Sequence, residues 1–254
     1  MDIEFVKNTS AELKKAVSKN TVILLPIGQI EEHGKHLPVM TDALIAEKFA
    51  YGAAKKVSGK VPVLVMPTVW SGYSTSEVRK WTGTISISLD TFMDMVLEIC
   101  GSLIEMGFKK IVLVNAHGNH PGALEVVVRK IADLYGVYIA LTMPHVIAKD
   151  KIAPLLKAGP KGSCHGGEYE TSLMLYLAEE LVQKDKFTGV DVLRIESDFY
   201  PGKVFISTWG RQKSKTGIFG DPTVATRETG RKIFEAILDA YAGFLKEYYK
   251  HENV

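Results

Sequence analysis

Short apolar runs alternate with longer amphipathic stretches along most of this sequence. The apolar runs at residues 22–27, 61–66, 111–114 and 137–142 predict buried strands. Strands that read as continuous apolar runs, with helices between them, are typical of a parallel sheet covered on both faces. The pattern therefore predicts an α/β fold, built as a single three-layer α/β/α domain with a mostly parallel central sheet.

The stretches between these runs have the apolar spacing of helices. Helices are predicted at residues 43–57, 89–106, 122–135, 168–181 and 223–249. Residues 183–220 are less regular and predict further short strands and loops. Because no repeat, low-complexity tract or linker-like stretch divides the chain, we expect one domain over residues 1–254.

Composition excludes several classes of protein. The chain has 254 residues, of which 46% are hydrophobic and 24% charged, which are ordinary globular values. The net charge of +2 does not favour a nucleic-acid partner. Two cysteines, Cys100 and Cys164, do not make a disulfide scaffold and favour a reducing compartment. Since no secretory signal is visible and no apolar run approaches the ~20 residues that span a bilayer, we expect a cytoplasmic protein without a membrane partner.

Histidines are concentrated in three short motifs. Five of the seven fall there: His33 and His36 in the first, His117 and His120 in the second, and His165 in the third. The first two motifs follow predicted strands, and the third comes just before a predicted helix. Because ligands gather at the carboxyl ends of parallel strands, we expect these motifs to meet there.

Carboxylates accompany two of these motifs. Glu31, Glu32 and Asp42 accompany the first, and Glu168 and Glu170 follow the third. Imidazole together with carboxylate suits zinc, manganese or iron better than calcium or magnesium. Any one motif alone is more simply explained as a solvated loop, and Asp42 alone could be a helix N-cap. The three motifs together favour a metal site, in which Asp42 could bridge two ions.

These motifs resemble those of the creatininase (creatinine amidohydrolase) family. The resemblance lies in residues 31–38 (EEHGKHLP) with Thr41 and Asp42, in residues 115–118 (NAHG), and in residues 165–172 (HGGEYETS). Residues 83–86 (GTIS) and 217–222 (GIFGDP) resemble two weaker elements of the family. The matches follow the family's order from about residue 20 to residue 235, so they cover nearly the whole chain.

The resemblance implies a three-layer α/β fold and a binuclear metal centre. Carried over residue by residue, Glu31, Asp42 and His117 would hold one ion, and His33, Asp42 and Glu170 the other. Asp42 would then bridge the two ions, and all five positions are intact. The implied cofactors are two divalent ions per chain, zinc or manganese, with iron as an alternative. The family also implies a homo-oligomer, often a hexamer.

The resemblance also implies a mechanism. A hydroxide held between two ions would attack the substrate carbonyl, and His165 would protonate the leaving nitrogen.

Glu168 could orient His165 or the water, or could be only a surface or helix-terminal charge. His36 could donate to a ligand carboxylate or simply be packed. Cys164 as a thiol nucleophile is disfavoured, because neighbouring side chains such as those of Cys164 and His165 usually point apart.

The residues expected around the substrate depart from the family pattern. Asn119 stands where creatininase has a glutamate, His120 where asparagine is usual, and Lys161 where creatininase has a tryptophan. The ligand set is thus kept while the pocket changes, so we do not expect creatinine as the substrate. A cluster of basic residues precedes the last of the family elements; it comprises Lys203, Arg211, Lys213 and Lys215. If one of these side chains reaches the pocket, a phosphate or carboxylate on the substrate would be favoured, and otherwise the cluster is a solvated surface.

The leading functional hypothesis is hydrolysis of a C–N bond in a small polar amide, cyclic amide or formamide. The resemblance also allows C–C bond hydrolysis of a cyclic diketone, such as 3-dehydro-scyllo-inosose in inositol breakdown. A third hypothesis, from another class, is a non-catalytic binding protein on the same fold. Retention of every implied metal ligand argues against it.

Overall fold

The structure, a computed structural model, describes residues 1–187 and 214–251, apart from the side chains of residues 160 and 161. Most of the segment for which short strands and loops are predicted lies outside these ranges. The same holds for Lys203, Arg211 and Lys213 of the basic cluster, while Lys215 is described and exposed.

Four parallel strands form the central sheet: β1 (Val22–Ile27), β2 (Val63–Val65), β3 (Lys110–Asn115) and β4 (Ala140–Thr142). Their order is β2-β1-β3-β4, and Val22 of β1 pairs with Val63 on one side and Lys110 on the other. The mostly parallel sheet predicted from the sequence is confirmed. β1 has the predicted bounds, whereas β2 and β4 are shorter than the apolar runs that contain them.

Ten α-helices lie in the described residues. They are α1 (Ser10–Ser18), α2 (Thr41–Lys56), α3 (Ser76–Arg79), α4 (Leu89–Glu105), α5 (Pro121–Tyr135), α6 (Pro144–Ile147), α7 (Lys149–Ile152), α8 (Gly159–Gly162), α9 (Glu168–Leu177) and α10 (Arg227–Lys250). Short 3-10 turns include Ala153–Leu155, Glu179–Leu181 and Pro222–Val224.

The long helices begin and end close to the predicted positions, with two corrections. α9 ends at Leu177 rather than residue 181, because Ala178 leaves helical geometry and a 3-10 turn follows. α10 begins at Arg227 rather than residue 223, because the 3-10 turn around Pro222 comes first and Thr226 caps the helix by accepting from the Thr229 amide.

Successive residues of the strands point to opposite faces of the sheet, as the two-residue period requires. Val22, Leu24, Val112 and Val114 pack on one face with residues of α2, α9 and α10. Ile23, Leu25, Ile111 and Leu113 pack on the other face with residues of α1, α4 and α5. The three-layer α/β/α arrangement is therefore confirmed.

The strand order places a crevice between β1 and β3. β2 lies on one side of β1 and β3 on the other, so the chain adds strands first on one side of β1 and then on the other. In folds of this type, ligands bind at the point where the strand order reverses. A Cβ at Gly28, just after β1, would lie 2.3 Å from Ala43 Cα. Glycine therefore lets the end of β1 touch the start of α2 and brings Asp42 to the crevice.

None of the described helices is both long and apolar enough to cross a membrane.

Candidate metal centre

Five side chains meet at the carboxyl edge of β1 and β3. The loop after β1 supplies Glu31 and His33, the first turns of α2 and α9 supply Asp42 and Glu170, and the loop after β3 supplies His117. All except Glu170 are at most 3% exposed. These are the five metal ligands predicted from the sequence, so folding brings together residues that are far apart along the chain.

Asp42 stands at the centre of this group. Its Oδ1 lies 3.1 Å from His33 Nε2, and its Oδ2 lies 2.8 Å from His117 Nδ1. The alternative role of Asp42 as a helix N-cap is wrong, because Met40 occupies that position and Asp42 lies inside the first turn. The two carboxylate oxygens face two different histidines, an arrangement in which one carboxylate could bridge two ions.

The side chains form two overlapping groups around Asp42. One contains Glu31, Asp42 and His117, and the other contains His33, Asp42 and Glu170. Within each group one ligand atom from every residue lies within 4.8 Å of the others, so a single ion could contact all three. These are the same two sets that the sequence resemblance implies. A third group of this kind contains Glu31, His33 and His165.

The tautomer of His33 suits a metal ligand. Its Nδ1 lies 3.0 Å from the backbone carbonyl oxygen of Glu31, which can only accept, so Nδ1 carries the proton and donates it. Nε2, the nitrogen left for a metal ion, then faces Asp42 and also Glu170, whose Oε2 is 3.5 Å away. A metal-ligating histidine typically donates its other ring N–H to such an acceptor. The residues present therefore fit a divalent ion.

The electrostatics of the cluster favour a cation. Burial alone would lower the pKa of His117, but Glu31 and Asp42 outweigh it and raise that pKa to about 9. The pKa of His33 is raised as well, because Asp42 and Glu170 outweigh its burial. Burial raises the pKa of Glu170. Buried carboxylates thus draw protons onto the neighbouring imidazoles, and a divalent ion would take the place of that positive charge.

Glu31 is held by a chain of hydrogen bonds that the sequence did not reveal. Ser74 Oγ donates to Glu31 Oε2 at 2.6 Å, and Gln29 Nε2 donates to Ser74 Oγ at 2.7 Å. Gln29 Oε1 in turn accepts from the Gly72 amide at 2.6 Å. The signal in the sequence is a glutamine two residues after a buried strand, where a fully buried amide needs partners.

His165 lies between two carboxylates. Its Nδ1 is 3.3 Å from Glu31 Oε1, and its Nε2 is 3.3 Å from Glu32 Oε1. Burial and His33 lower the pKa of His165, but Glu32 and Glu31 outweigh them, so that this pKa is raised. Glu32 also accepts from the Gly34 amide at 2.9 Å. Glu32, to which sequence reasoning gave no role, is therefore a partner that orients His165.

Glu168 does not contact His165, which is one of the two roles predicted for it. It is fully buried at the start of α9, and its Oε2 accepts from the Ala158 amide at 2.7 Å. Its Oε1 has no hydrogen-bond partner among the described residues, and the position next to His165 is taken by Glu32. The alternative of a surface charge is wrong because the carboxylate is buried, whereas the alternative of a helix-terminal charge is right because Glu168 is the first residue of α9.

The second histidine of each His-x-x-His pair points away from the carboxylates. His36 Nε2 lies 3.0 Å from Thr171 Oγ1. The interpretation that His36 donates to a ligand carboxylate is therefore wrong, and the interpretation that it is a packed residue fits the structure. His120 Nδ1 donates to Asn115 Oδ1 at 3.2 Å, and its Nε2 accepts from the Tyr73 amide at 3.1 Å. Because Asn115 Nδ2 donates to the His117 carbonyl oxygen, His120 supports the loop that carries His117.

A cavity of about 390 Å³ opens onto this cluster. Asn119 lines it, and its Nδ2 lies 3.4 Å from His117 Nε2. If His117 Nδ1 binds an ion, Nε2 carries the proton, and turning the Asn119 amide over would let its oxygen accept. Cys164 lines the cavity too and is half-buried.

Comparison with known proteins agrees with this geometry. The family model described as "Creatininase: Creatinine amidohydrolase" matches residues 7–245. The chain belongs to the creatininase family. Membership makes it an enzyme, a metal-dependent hydrolase of the amidohydrolase type, as the sequence predicts.

Relatives in the creatininase family carry different activities in their names. The mycofactocin precursor peptide peptidase of Mycobacterium ulcerans is 30% identical over 224 residues, which are 85% of this chain and 81% of that protein. The creatinine amidohydrolase of Pseudomonas putida is 26% identical over 92% of each chain. The 3-dehydro-scyllo-inosose hydrolase of Thermotoga maritima is 24% identical over 93% of this chain and 80% of that protein.

Solved structures confirm the creatininase fold. A structure of a putative creatinine amidohydrolase from Bacteroides fragilis superposes with a TM-score of 0.84 at 26% identity, covering 99% of both chains. A structure named "Creatininase Mn" superposes with a TM-score of 0.82 at 24% identity, covering 99% of this chain and all of the other. The family and the fold are thus shown, whereas the names of the relatives leave the substrate open.

Proposed function

We propose that this chain uses two divalent ions to hydrolyse a C–N bond in a small polar amide, cyclic amide or formamide other than creatinine. The observation that carries the proposal is the position of Asp42, whose two oxygens face His33 and His117 at 3.1 and 2.8 Å. A carboxylate shared in this way between two imidazoles supports a bridged pair of ions.

The first ion would be held by Glu31, Asp42 and His117, and the second by His33, Asp42 and Glu170. When bound, such a pair lowers the pKa of a water molecule towards neutrality and polarises the substrate oxygen. Zinc and manganese both suit this ligand set, with iron as an alternative, because imidazole and carboxylate accept several ions.

His165 is the group that would move a proton to the leaving nitrogen. It lines the cavity, and its ring contacts Glu31 on one side and Glu32 on the other. Glu32 fixes the orientation of the ring, so that the proton is delivered from a defined position. Cleavage of the amide by water then gives a carboxylic acid and an amine.

The cavity does not suit a flat heterocycle that stacks between aromatic rings. No tryptophan lines it among the described residues, and its aromatic rings are those of Tyr169 and three histidines, two of which belong to the metal-centre cluster. Asn119 can donate or accept a hydrogen bond but cannot act as a base. These observations support a substrate other than creatinine.

Hydrolysis of a C–C bond in a cyclic diketone is the second candidate. The relative from Thermotoga maritima that is named for this activity supports it. A cavity without tryptophan would accommodate a hydroxylated ring as well as an amide. A non-catalytic binding protein is disfavoured by the intact ligand set.

Turnover of a substrate panel would separate the candidates. The purified protein, loaded with Mn²⁺ or Zn²⁺, is assayed with formamides, lactams and cyclic β-diketones. We expect turnover of at least one amide and about two ions per chain by elemental analysis. Turnover of diketones alone would replace the C–N assignment, and less than about one ion per chain would contradict the binuclear centre.

Two further expectations rest on the family or the sequence alone. We propose that the chain acts as one domain and assembles as a homo-oligomer, a hexamer by family resemblance. Light scattering of the purified protein measures the mass that decides this. The cytoplasmic location stays a prediction.

A further inference from the structure

The cavity beside the candidate metal centre has an aliphatic wall. Ile152 at the end of α7, Ala153 in the following 3-10 turn, and Leu156 line it together with the metal-centre residues. Its volume, about 390 Å³, is within the range of small-molecule sites. Removing aliphatic surface from water is favourable, so this wall suits an apolar group of the substrate.

Two residues that line the cavity carry hydroxyl groups without a partner among the described residues. Tyr169 Oη and Ser163 Oγ are enclosed by protein and make no hydrogen bond to any described residue. Leaving a buried hydroxyl unpaired costs free energy, and such groups in native proteins commonly serve a ligand or a water molecule. A substrate with polar atoms between its apolar group and its scissile bond would satisfy them once these side chains turn towards the cavity.

One lysine is among the residues that line the cavity. Lys149, at the start of α7, lines the cavity and is exposed, and it makes no ion pair with any described residue. The floor is acidic, with Glu31, Asp42 and Glu170. Lys149, which is not one of the candidate metal ligands, therefore offers an anionic group of the substrate a favourable charge.

We propose that the cavity binds an N-acyl amino acid, with its aliphatic side chain against Ile152 and Leu156 and its carboxylate at Lys149. This inference rests on the proposed amide hydrolysis and adds the class of substrate. The scissile amide carbonyl lies over the ligands around Asp42, and Tyr169 and Ser163 pair with the polar atoms beside it. Water adds to the carbonyl carbon, the C–N bond breaks, and the nitrogen takes a proton, which yields the free acid and the amino acid.

The test uses sulfonamide analogues, which cannot be turned over, so that binding is measured apart from catalysis. Metal-loaded protein is titrated by calorimetry with N-methylsulfonyl-L-leucine, N-methylsulfonylglycine and N-methylsulfonyl-L-leucinamide. We expect the leucine compound to bind about 10-fold more tightly than the glycine compound, because its side chain is buried. It should also bind about 10-fold more tightly than the leucinamide, which lacks the carboxylate.

Variants of two exposed lysines on the same short helix give a matched comparison. Lys149→Met should remove the preference for the carboxylate over the amide and leave the preference for leucine over glycine. Lys151→Met, whose lysine does not line the cavity, should change neither. Leu156→Ala should reduce the preference for leucine over glycine.

The outcomes separate this inference from the proposed function. Equal affinity for the three compounds, no measurable binding, or an unchanged carboxylate preference in Lys149→Met would overturn the substrate class. Selective binding without turnover of any N-acyl amino acid would leave the site in place and count against C–N hydrolysis. Turnover of amides without selection for a side chain or carboxylate would support the function and reject the subsite.

Discussion

The loops that follow β1 and β3 carry histidines with the same spacing but opposite surroundings. His33 and His117, the first of each pair, face the carboxylate of Asp42. His36 and His120, the second of each pair, contact a hydroxyl, an amide oxygen and a backbone amide. The neighbours of an imidazole, and not its place in a motif, therefore decide what it can do.

Their pKa values express this difference. Burial would lower the pKa of every one of them, yet Glu31 and Asp42 raise that of His117 to about 9. Burial with no carboxylate partner lowers the pKa of His36 to about 4. The first histidine of each pair holds a proton and with it a positive charge, which a metal ion could replace. The second histidine of each pair stays neutral and holds its loop in place. The predictions below test this division.

The largest effect is expected for Asp42, which the two inward histidines share. Asp42→Ala should lower turnover by about 10,000-fold and reduce bound metal at both sites, because metal ions supply several kcal/mol to such a reaction. Elemental analysis and steady-state kinetics measure both. Normal activity in this variant would contradict the bridging role.

A smaller effect is expected for His165, which faces carboxylates but is predicted to move a proton. His165→Ala should leave the metal content intact and lower kcat by about 100- to 1,000-fold, with a smaller change in KM. Glu168→Gln is the comparison, since its carboxylate contacts the Ala158 amide and not His165. If His165→Ala lost its metal instead, His165 would be a ligand, as its place beside Glu31 and His33 allows.

The inward and outward histidines of the β3 loop should differ in metal binding. His117→Ala should remove one ion per chain, whereas His120→Ala should keep both with affinity reduced by about 10-fold. The reason is that His120 supports Asn115, which holds the His117 backbone. Competition with a chelator measures the affinities. An equal loss of bound metal in the two variants would contradict the distinction between His117 as a ligand and His120 as a supporting residue.

The outward histidine of the β1 loop should be visible as a pH dependence of stability. Because the folded-state pKa of His36 is about 4, against about 6.5 when unfolded, the unfolded chain binds more protons. Stability from this group is therefore complete above about pH 6.5 and lost as the pH falls towards 4, by about 2 kcal/mol between pH 7.5 and 5.

Urea unfolding at the two pH values measures this change, with His36→Gln as the matched variant. Groups other than His36 titrate in both proteins, so the difference between their pH dependences isolates His36. An identical dependence in the two proteins would show that His36 is not held neutral.

Much of the fold follows from patterns within single segments. Residues 22–27 form β1 as predicted, since a continuous apolar run buried on both faces leaves little freedom. The weaker boundaries lie where local geometry competes with periodicity. The run at 137–142 forms a strand only from Ala140, since Tyr138 is 59% exposed. Helix α10 begins later than predicted because the 3-10 turn at Pro222 precedes it.

The candidate site divides in the same way. The five predicted ligands are brought together because motif order and parallel strands place them at one edge. The supporting contacts could not be predicted, because Ser74 reaches Glu31 across the sheet edge and Glu32 differs from Glu31 only in the direction of its side chain. The closeness of Glu168 to His165 in sequence suggests a contact between them, yet the Glu168 carboxylate accepts from the Ala158 amide.

The pairing of β1 with β3 has a consequence for how the protein is made. Glu31, His33 and Asp42 leave the ribosome early, but the first ligand group is complete only when β3 and His117 have followed. The second group waits for Glu170 on α9, and the sheet face beneath it is covered only after α10. A nascent chain therefore completes its two candidate ligand groups in a fixed order, and ions supplied during synthesis would meet the first group before the second exists.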